Sequence, residues 1–264
     1  MGYLKNNQLE SDVFNKLRSA AKYGRADEVD QIRNEVTKEE YYRLMRTRNN
    51  HYSYYRIIDY AIQFNRFVAV KALLKGLTLE GKLEICNEPV TEAGCNVLHL
   101  SVNNNCYEAA AAIRDLFYEE NQLSGWVRLF TDCEHSSKET PAHYAARRQD
   151  LKFFEIFSKG LSSEQWYSIL LKQNLDNRTF LEVYLINCRK FDFNPFEVLR
   201  GPINLLDWLE ILIQKKGRDN RSNYEYIINK FMISYFDVIE MSTEKHLLVN
   251  WESPCPKTNH GPYP

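Results

Sequence analysis

The chain has 264 residues, 34 Lys and Arg against 35 Asp and Glu, and a formal net charge of −1; 44% of its residues are hydrophobic and 13% aromatic. A near-neutral balance argues against broad binding to nucleic acid or to anionic membrane surfaces. No run of 18 apolar residues is present, so no membrane span is expected. The apolar content is enough to build the core of one long array or of two small domains.

The polar opening from Met1 to Asn7 predicts no signal peptide. Gly2 invites myristoylation, but Asn6 stands where Ser or Thr is wanted, and the C-terminus carries no prenylation box. Six cysteines (Cys86, Cys95, Cys106, Cys133, Cys188 and Cys255) are scattered along the chain. That spread suits reduced thiols in a cytosol better than a disulfide framework.

In chain order, one short pattern returns. It is seen first as Leu17-Arg18-Ser19-Ala20-Ala21, then as Ile58-Asp59-Tyr60-Ala61-Ile62 and Leu98-His99-Leu100-Ser101-Val102. The fullest copy is Thr140-Pro141-Ala142-His143-Tyr144-Ala145-Ala146, and Leu181-Glu182-Val183-Tyr184-Leu185 follows. The equivalent residues Arg18, Asp59, His99, His143 and Glu182 are spaced by 41, 40, 44 and 39 residues. A period near 40 over five copies marks a repeat array.

A second apolar pattern at helical spacing follows each anchor. Val29 and Ile32 carry it first, then Phe67 to Leu74, then Ala109 to Phe117, then Leu151 to Phe157. Nineteen residues past the anchors stand Thr37, Thr78 and Ser162, each opening a short helical segment. In the third copy this piece is six residues late, at Ser124-Gly125-Trp126. Each unit is therefore predicted to hold two main helices and a short third one. In the turns between units, Asn177 is suited to the left-handed conformation, and Thr91 to Asn96 forms the corresponding turn before His99.

The copy at Thr140 explains itself physically. Thr140 can cap a helix and Pro141 fits its first turn, where no N–H is required. His143 can tie the helix start to the neighbouring loop, and Ala145 and Ala146 allow close helix packing. This T-P-x-H-x-A-A stretch resembles the ankyrin repeat, although the ankyrin period is 33 residues. Only His99 and His143 keep the histidine, and only Gly24 keeps the mid-repeat glycine. The resemblance covers about residues 11–195 and weakens in the fifth copy, where Tyr184 replaces a small residue and Pro195 interrupts the second helix. The Ser-x-Glu-x-Trp helix and the Asn-, Tyr- and Phe-rich composition look like ankyrin-repeat effectors of intracellular bacterial pathogens. That resemblance implies an interaction protein injected into a host cell.

The expected fold is thus all-α: an ankyrin-like helical solenoid of about five degenerate repeats over 11–195, a helical C-terminal cap over 196–249, and a disordered tail over 250–264. The tail holds four of the eight prolines. Such a cap shields the last repeat of a solenoid.

The resemblance places the two positions after the small pair on the concave groove. Tyr23, Phe64, Asn104, Arg147 and Arg148 are accordingly the candidate partner-binding residues, in slots that also include Lys22, Gln63, Asn103, Ile186 and Asn187. Tyr and Arg are frequent interface anchors; ordinary solvated helix surface is the alternative. Residues 41–56 interleave Tyr and Arg and could pack between repeats, bind a protein, or contact nucleic acid. His99 and His143 fall on the repeat register and are expected to be structural. Cys86, Cys95, His99, Cys106 and Cys133 lack zinc-ligand spacing, and Cys133 near His135 does not by itself make a nucleophilic pair.

The expected function is protein–protein recognition without catalysis, metal or cofactor. The expected location is cytoplasmic, or the host cytosol after secretion. An endogenous cytosolic adaptor and a small enzyme in the C-terminal region, which contains His246 and His260, are the alternatives.

Overall fold

The computed structural model describes residues 2–48, 55–119, 122–131, 136–187, 198–199 and 201–203, with side chains from residue 11 onward. Among them are 13 helices and no strand; one isolated antiparallel bridge joins Gln173 and Thr179. Four units of three helices follow one another. They are α1 (Gly2–Tyr23), α2 (Ala26–Glu35) and α3 (Lys38–Arg46); α4 (Ile57–Gln63), α5 (Phe67–Leu74) and α6 (Leu79–Asn87); α7 (Val97–Asn103), α8 (Tyr107–Glu119) and α9 (Leu123–Thr131); and α10 (Pro141–Arg148), α11 (Leu151–Ser158) and α12 (Ser163–Leu170). A further helix, α13 (Phe180–Asn187), opens a fifth unit.

Units two to five each start with a side chain that reaches back to its own helix entry. Asp59 Oδ2 accepts from the Arg56 N–H at 2.8 Å, and Glu182 Oε2 accepts from the Thr179 N–H at 2.7 Å. In the third and fourth units a histidine replaces the carboxylate: Nδ1 of His99 and of His143 accepts from the backbone N–H of Asn96 and of Thr140, each at 3.2 Å. The opposite ring nitrogen crosses to the next unit. Nε2 of His99 meets the Glu139 carbonyl, and Nε2 of His143 meets the Arg178 carbonyl, both at 3.0 Å. The histidines are therefore joints between units, as their register implied.

The first helix ends the same way in all four complete units. The residue six past the anchor takes positive φ: Gly24 at 76°, Asn65 at 53°, Asn105 at 57° and Gln149 at 57°. The next N–H then closes the turn onto the carbonyl two past the anchor, from Arg25 to Ala20, Arg66 to Ala61, Cys106 to Ser101 and Asp150 to Ala145, at 2.7–3.0 Å. This left-handed helix end satisfies carbonyls that the helix itself leaves open. The loop entering a unit is equally regular: Gly94, Lys138 and Asn177, each five before an anchor, all have positive φ.

The third helices of units one, two and four start where capping residues predicted. Thr37 accepts from the Glu40 N–H while Glu40 reaches back to Thr37, Thr78 accepts from the Gly81 N–H, and Ser162 accepts from the Gln165 N–H. The third unit differs for a simple reason. Its second helix runs for 13 residues, against 8 in α5 and α11, so α9 is displaced and Ser124 lies inside the helix rather than at its cap.

Equivalent helices pack on one another from unit to unit. α1 touches α4, α4 touches α7, α7 touches α10 and α10 touches α13; α2, α5, α8 and α11 form a second row, and α3, α6 and α9 a third. Ala20, Ala21, Ala61, Ala145 and Ala146 are fully buried along the first row. Larger rings fill the far end of the core. Phe130 lies 4.4 Å from Phe157 and 6.2 Å from Trp166 between ring centres, and Trp166 lies 5.9 Å from Phe180. Each such buried ring contributes roughly 1.5–3 kcal/mol, so this cluster joins the third, fourth and fifth units. Tyr184 is accommodated in α13 and is buried despite its size.

Of the expected cap over 196–249, only 198–199 and 201–203 are described. Leu199 and Ile203 are buried there, Trp166 Nε1 donates to the Leu199 carbonyl at 3.0 Å, and the Ser163 hydroxyl donates to the Pro202 carbonyl at 2.7 Å. This stretch covers α12, while the 250–264 tail lies outside the described residues.

Candidate binding surface

The five candidate residues all stand at the C-terminal ends of the first-row helices, just before the left-handed turns, and all are exposed. Because the first-row helices contact one another in succession, equal slots in successive helices follow one another along the stack. Tyr23, Phe64, Asn104 and Arg148 occupy one slot, five residues past the anchor. Arg147 occupies the slot before it.

The structure brings the first two together. Lys22 Nζ lies 5.6 Å from the Tyr23 ring centre and 5.2 Å from the Phe64 ring centre, so one ammonium serves both rings. Arg25 also lies over Tyr23, at 5.6 Å. Tyr23 keeps 61% and Phe64 39% of its surface open. Asn104 turns its amide back to the Leu100 carbonyl at 2.9 Å.

The arginine pair is less open than its sequence suggests. Arg147 is paired with Glu139, whose carboxylate is buried and also receives Asn174 Nδ2 at 3.4 Å. Arg147 lies 5.8 Å from the Tyr144 ring centre as well. Arg148 donates to Asn105 Oδ1 at 2.8 Å, bridging the fourth unit to the third. With Asn105, Gln149, Asp150 and Leu151 it lines a shallow cleft of 510 Å³. Arg148 can turn outward at the cost of one exposed hydrogen bond, whereas Arg147 cannot leave without uncovering Glu139.

The basic and aromatic stretch over 41–56 is largely engaged within the molecule. Tyr41 is buried and donates to the Leu73 carbonyl at 3.0 Å; Tyr42 bonds Glu84. Arg46 meets Glu84 at 2.5 Å, and Glu88 gathers Arg46 at 3.6 Å, Arg48 at 3.5 Å and Arg56 at 3.6 Å. Arg56 is itself fully buried against Asp59 at 2.8 Å. These side chains bind the second unit to the first, which leaves few of their charges for phosphate. Residues 49–54 of the stretch lie outside the described residues.

Burial also sets the chemistry of the buried heteroatoms. The Cys86 thiol is pushed up to about 12, chiefly by burial, so it stays protonated at neutral pH. Burial pulls His143 down to about 4, with the bond to the Arg178 carbonyl opposing and the Arg147 charge assisting. Its ring is neutral at pH 7, with the proton assigned to Nε2 by the carbonyl that faces it. Among the described residues no group of three or more His, Cys, Asp or Glu side chains is placed to hold a metal ion. Cys133, His135, His246 and His260 lie outside the described residues. No described helix is long and apolar enough to cross a membrane.

Sequence reasoning named Lys22 only as a slot neighbour, and it missed Arg66 and Glu139. Lys22 shares the slot of Arg147, which is a signal the register offers. Arg66 and Glu139 matter through contacts that no spacing announces. Comparison with protein-family models and with curated proteins finds no match.

Proposed function

We propose that this chain is an ankyrin-like solenoid that works as a protein-interaction scaffold, with its partner laid across the C-terminal ends of the first-row helices. The observation that carries this reading is the repetition of one exposed slot in successive units, holding Tyr23, Phe64, Asn104 and Arg148. The shared left-handed turn and the anchor side chain that bonds back to its helix entry support the ankyrin-like assignment. A rigid first row presents the slots at fixed separation, and preorganised surfaces lose little entropy on binding. The resemblance to effectors of intracellular bacteria makes a host protein the partner of choice, and the reading assigns the chain no catalysis.

Affinity capture from host-cell lysate, followed by mass spectrometry and a binding titration of the recovered protein, tests the proposal. Tyr23→Ala, Phe64→Ala and Arg148→Ala should each weaken binding by about 1–2 kcal/mol if they are hot spots. Thermal stability should stay within about 0.5 kcal/mol of the parent for Arg148→Ala, a surface change. Arg147→Ala is expected to lose both binding and stability, because it uncovers Glu139. Full affinity in all four variants contradicts the reading.

A further inference from the structure

Among the described residues, seven large apolar or aromatic side chains are exposed, and four of them, Tyr23, Phe64, Phe67 and Val68, fall within the first two units. Phe64 caps the C-terminal end of α4 and Phe67 and Val68 open α5, so all three flank one left-handed turn at Asn65. Tyr23 holds the equivalent place one unit earlier. Scattered single apolar side chains need no explanation, but a concentration at one joint does.

The same joint carries cations. The Arg66 stem crosses Gly24, whose added Cβ would lie 3.2 Å from Arg66 Cδ, and Arg66 Nε donates to the Lys22 carbonyl at 3.2 Å. Lys22 Nζ sits over both rings. Arg25 pairs with Glu28 at 2.8 Å, so its charge is met within the molecule. No acidic side chain of the described residues forms an ion pair with Lys22 or Arg66. The patch therefore combines exposed apolar surface with two cations that no acidic side chain of the described residues pairs with.

We propose that this joint is the anchoring end of the binding surface and takes a short acidic peptide segment with an aliphatic or aromatic residue beside its carboxylates. This rests on the scaffold reading above and names the chemistry of its partner. The apolar residue would lie against Phe64, Phe67 and Val68, and the carboxylates would meet Lys22 and Arg66. Charge complementarity selects an acidic segment over a basic one. A peptide is favoured over nucleic acid because two cations already occupy the Tyr23 ring and one the Phe64 ring, and base stacking needs those faces.

The test uses the full chain and three fluorescein-labelled probes in anisotropy titrations: a short Asp/Glu-rich peptide with central Leu and Phe, the same peptide with Lys for every acid, and an oligothymidylate. The acidic peptide should bind, and its affinity should fall with added salt. Lys22→Gln with Arg66→Gln should weaken it about tenfold or more, and Phe64→Ser should do the same. Lys159→Gln, which removes an exposed cation just after α11 in the fourth unit, should leave it unchanged. Circular dichroism melts of each variant identify a loss caused by unfolding; in that event Lys22→Gln alone, which leaves the Arg66 stem in place, should still weaken the acidic peptide. Equal binding of acidic and basic peptides, tighter binding of the oligothymidylate, or full affinity in the Lys22 and Phe64 variants overturns the proposal. If a captured partner depends on Arg148 but not on Lys22 or Phe64, the scaffold reading stands and this anchoring end falls.

Discussion

His143 offers a pH-dependent test of how units are joined. The ring is buried, its Nε2 faces the Arg178 carbonyl at 3.0 Å, and its Nδ1 takes the Thr140 hydroxyl at 2.8 Å. Its folded pKa is pulled from 6.5 to about 4, mainly by burial. Above pH 6.5 the ring is neutral in both folded and unfolded chains, so it adds no pH dependence. Below that value the unfolded chain takes up the proton first, and stability falls by at most about 1.4 kcal/mol per pH unit. The loss reaches roughly 3 kcal/mol near pH 4, where the folded ring also begins to titrate. The perturbation is His143→Gln, which keeps a side-chain amide near Arg178 but cannot titrate. Urea unfolding of both proteins from about pH 7 to about pH 4.5 isolates the histidine, because all other groups titrate in both. The stability advantage of the parent should shrink steadily through this range. An advantage that is constant, or that grows toward acid, would refute the buried neutral joint. A histidine NMR titration with the variant as assignment control should show this ring still neutral at about pH 5.

Other perturbations follow from the same contacts. Asp59→Ala leaves Arg56 fully buried with only Glu88 at 3.6 Å to oppose it, and should cost about 3–5 kcal/mol in denaturant unfolding; a change below about 1 kcal/mol would mean that the guanidinium finds water. Lys138 is exposed at φ 54°, so Lys138→Gly should raise stability by roughly 0.5–1 kcal/mol by relieving the left-handed strain, read as an increase in Tm. Cys86 should remain unmodified when the native protein is treated with iodoacetamide at neutral pH and mapped by mass spectrometry, because its thiol is buried and protonated.

The helices and their order were legible because the signals were local. Thr37, Thr78 and Ser162 announced third helices through capping chemistry, and the apolar spacing announced the second ones. The mid-repeat turn was half legible. Gly24 is visible as a turn glycine, but Asn65, Asn105 and Gln149 take the same left-handed geometry with side chains that do not demand it. Backbone hydrogen bonding around the turn, repeated in all four units, overrides the local preference. The displacement of α9 shows in the sequence as a six-residue offset, but its cause does not, because the extra length of α8 blends into an alanine run.

The surface was less legible. Tyr23, Phe64, Asn104, Arg147 and Arg148 were found by register and are exposed, but register says nothing about who neutralises whom. Glu139 sits outside the repeat pattern, so its claim on Arg147 becomes visible only when the loop before α10 folds back. Arg66 is similar: its place across Gly24 depends on packing between units, which a single strand of sequence does not encode locally.

Hydrogen–deuterium exchange with and without the captured partner tests the central claim most directly. The account predicts protection gathered at 20–25, 61–66, 101–106 and 145–150, the ends of the first-row helices and their turns. Protection confined to the third helices at 38–46 and 79–87, with those four segments unchanged, would contradict it.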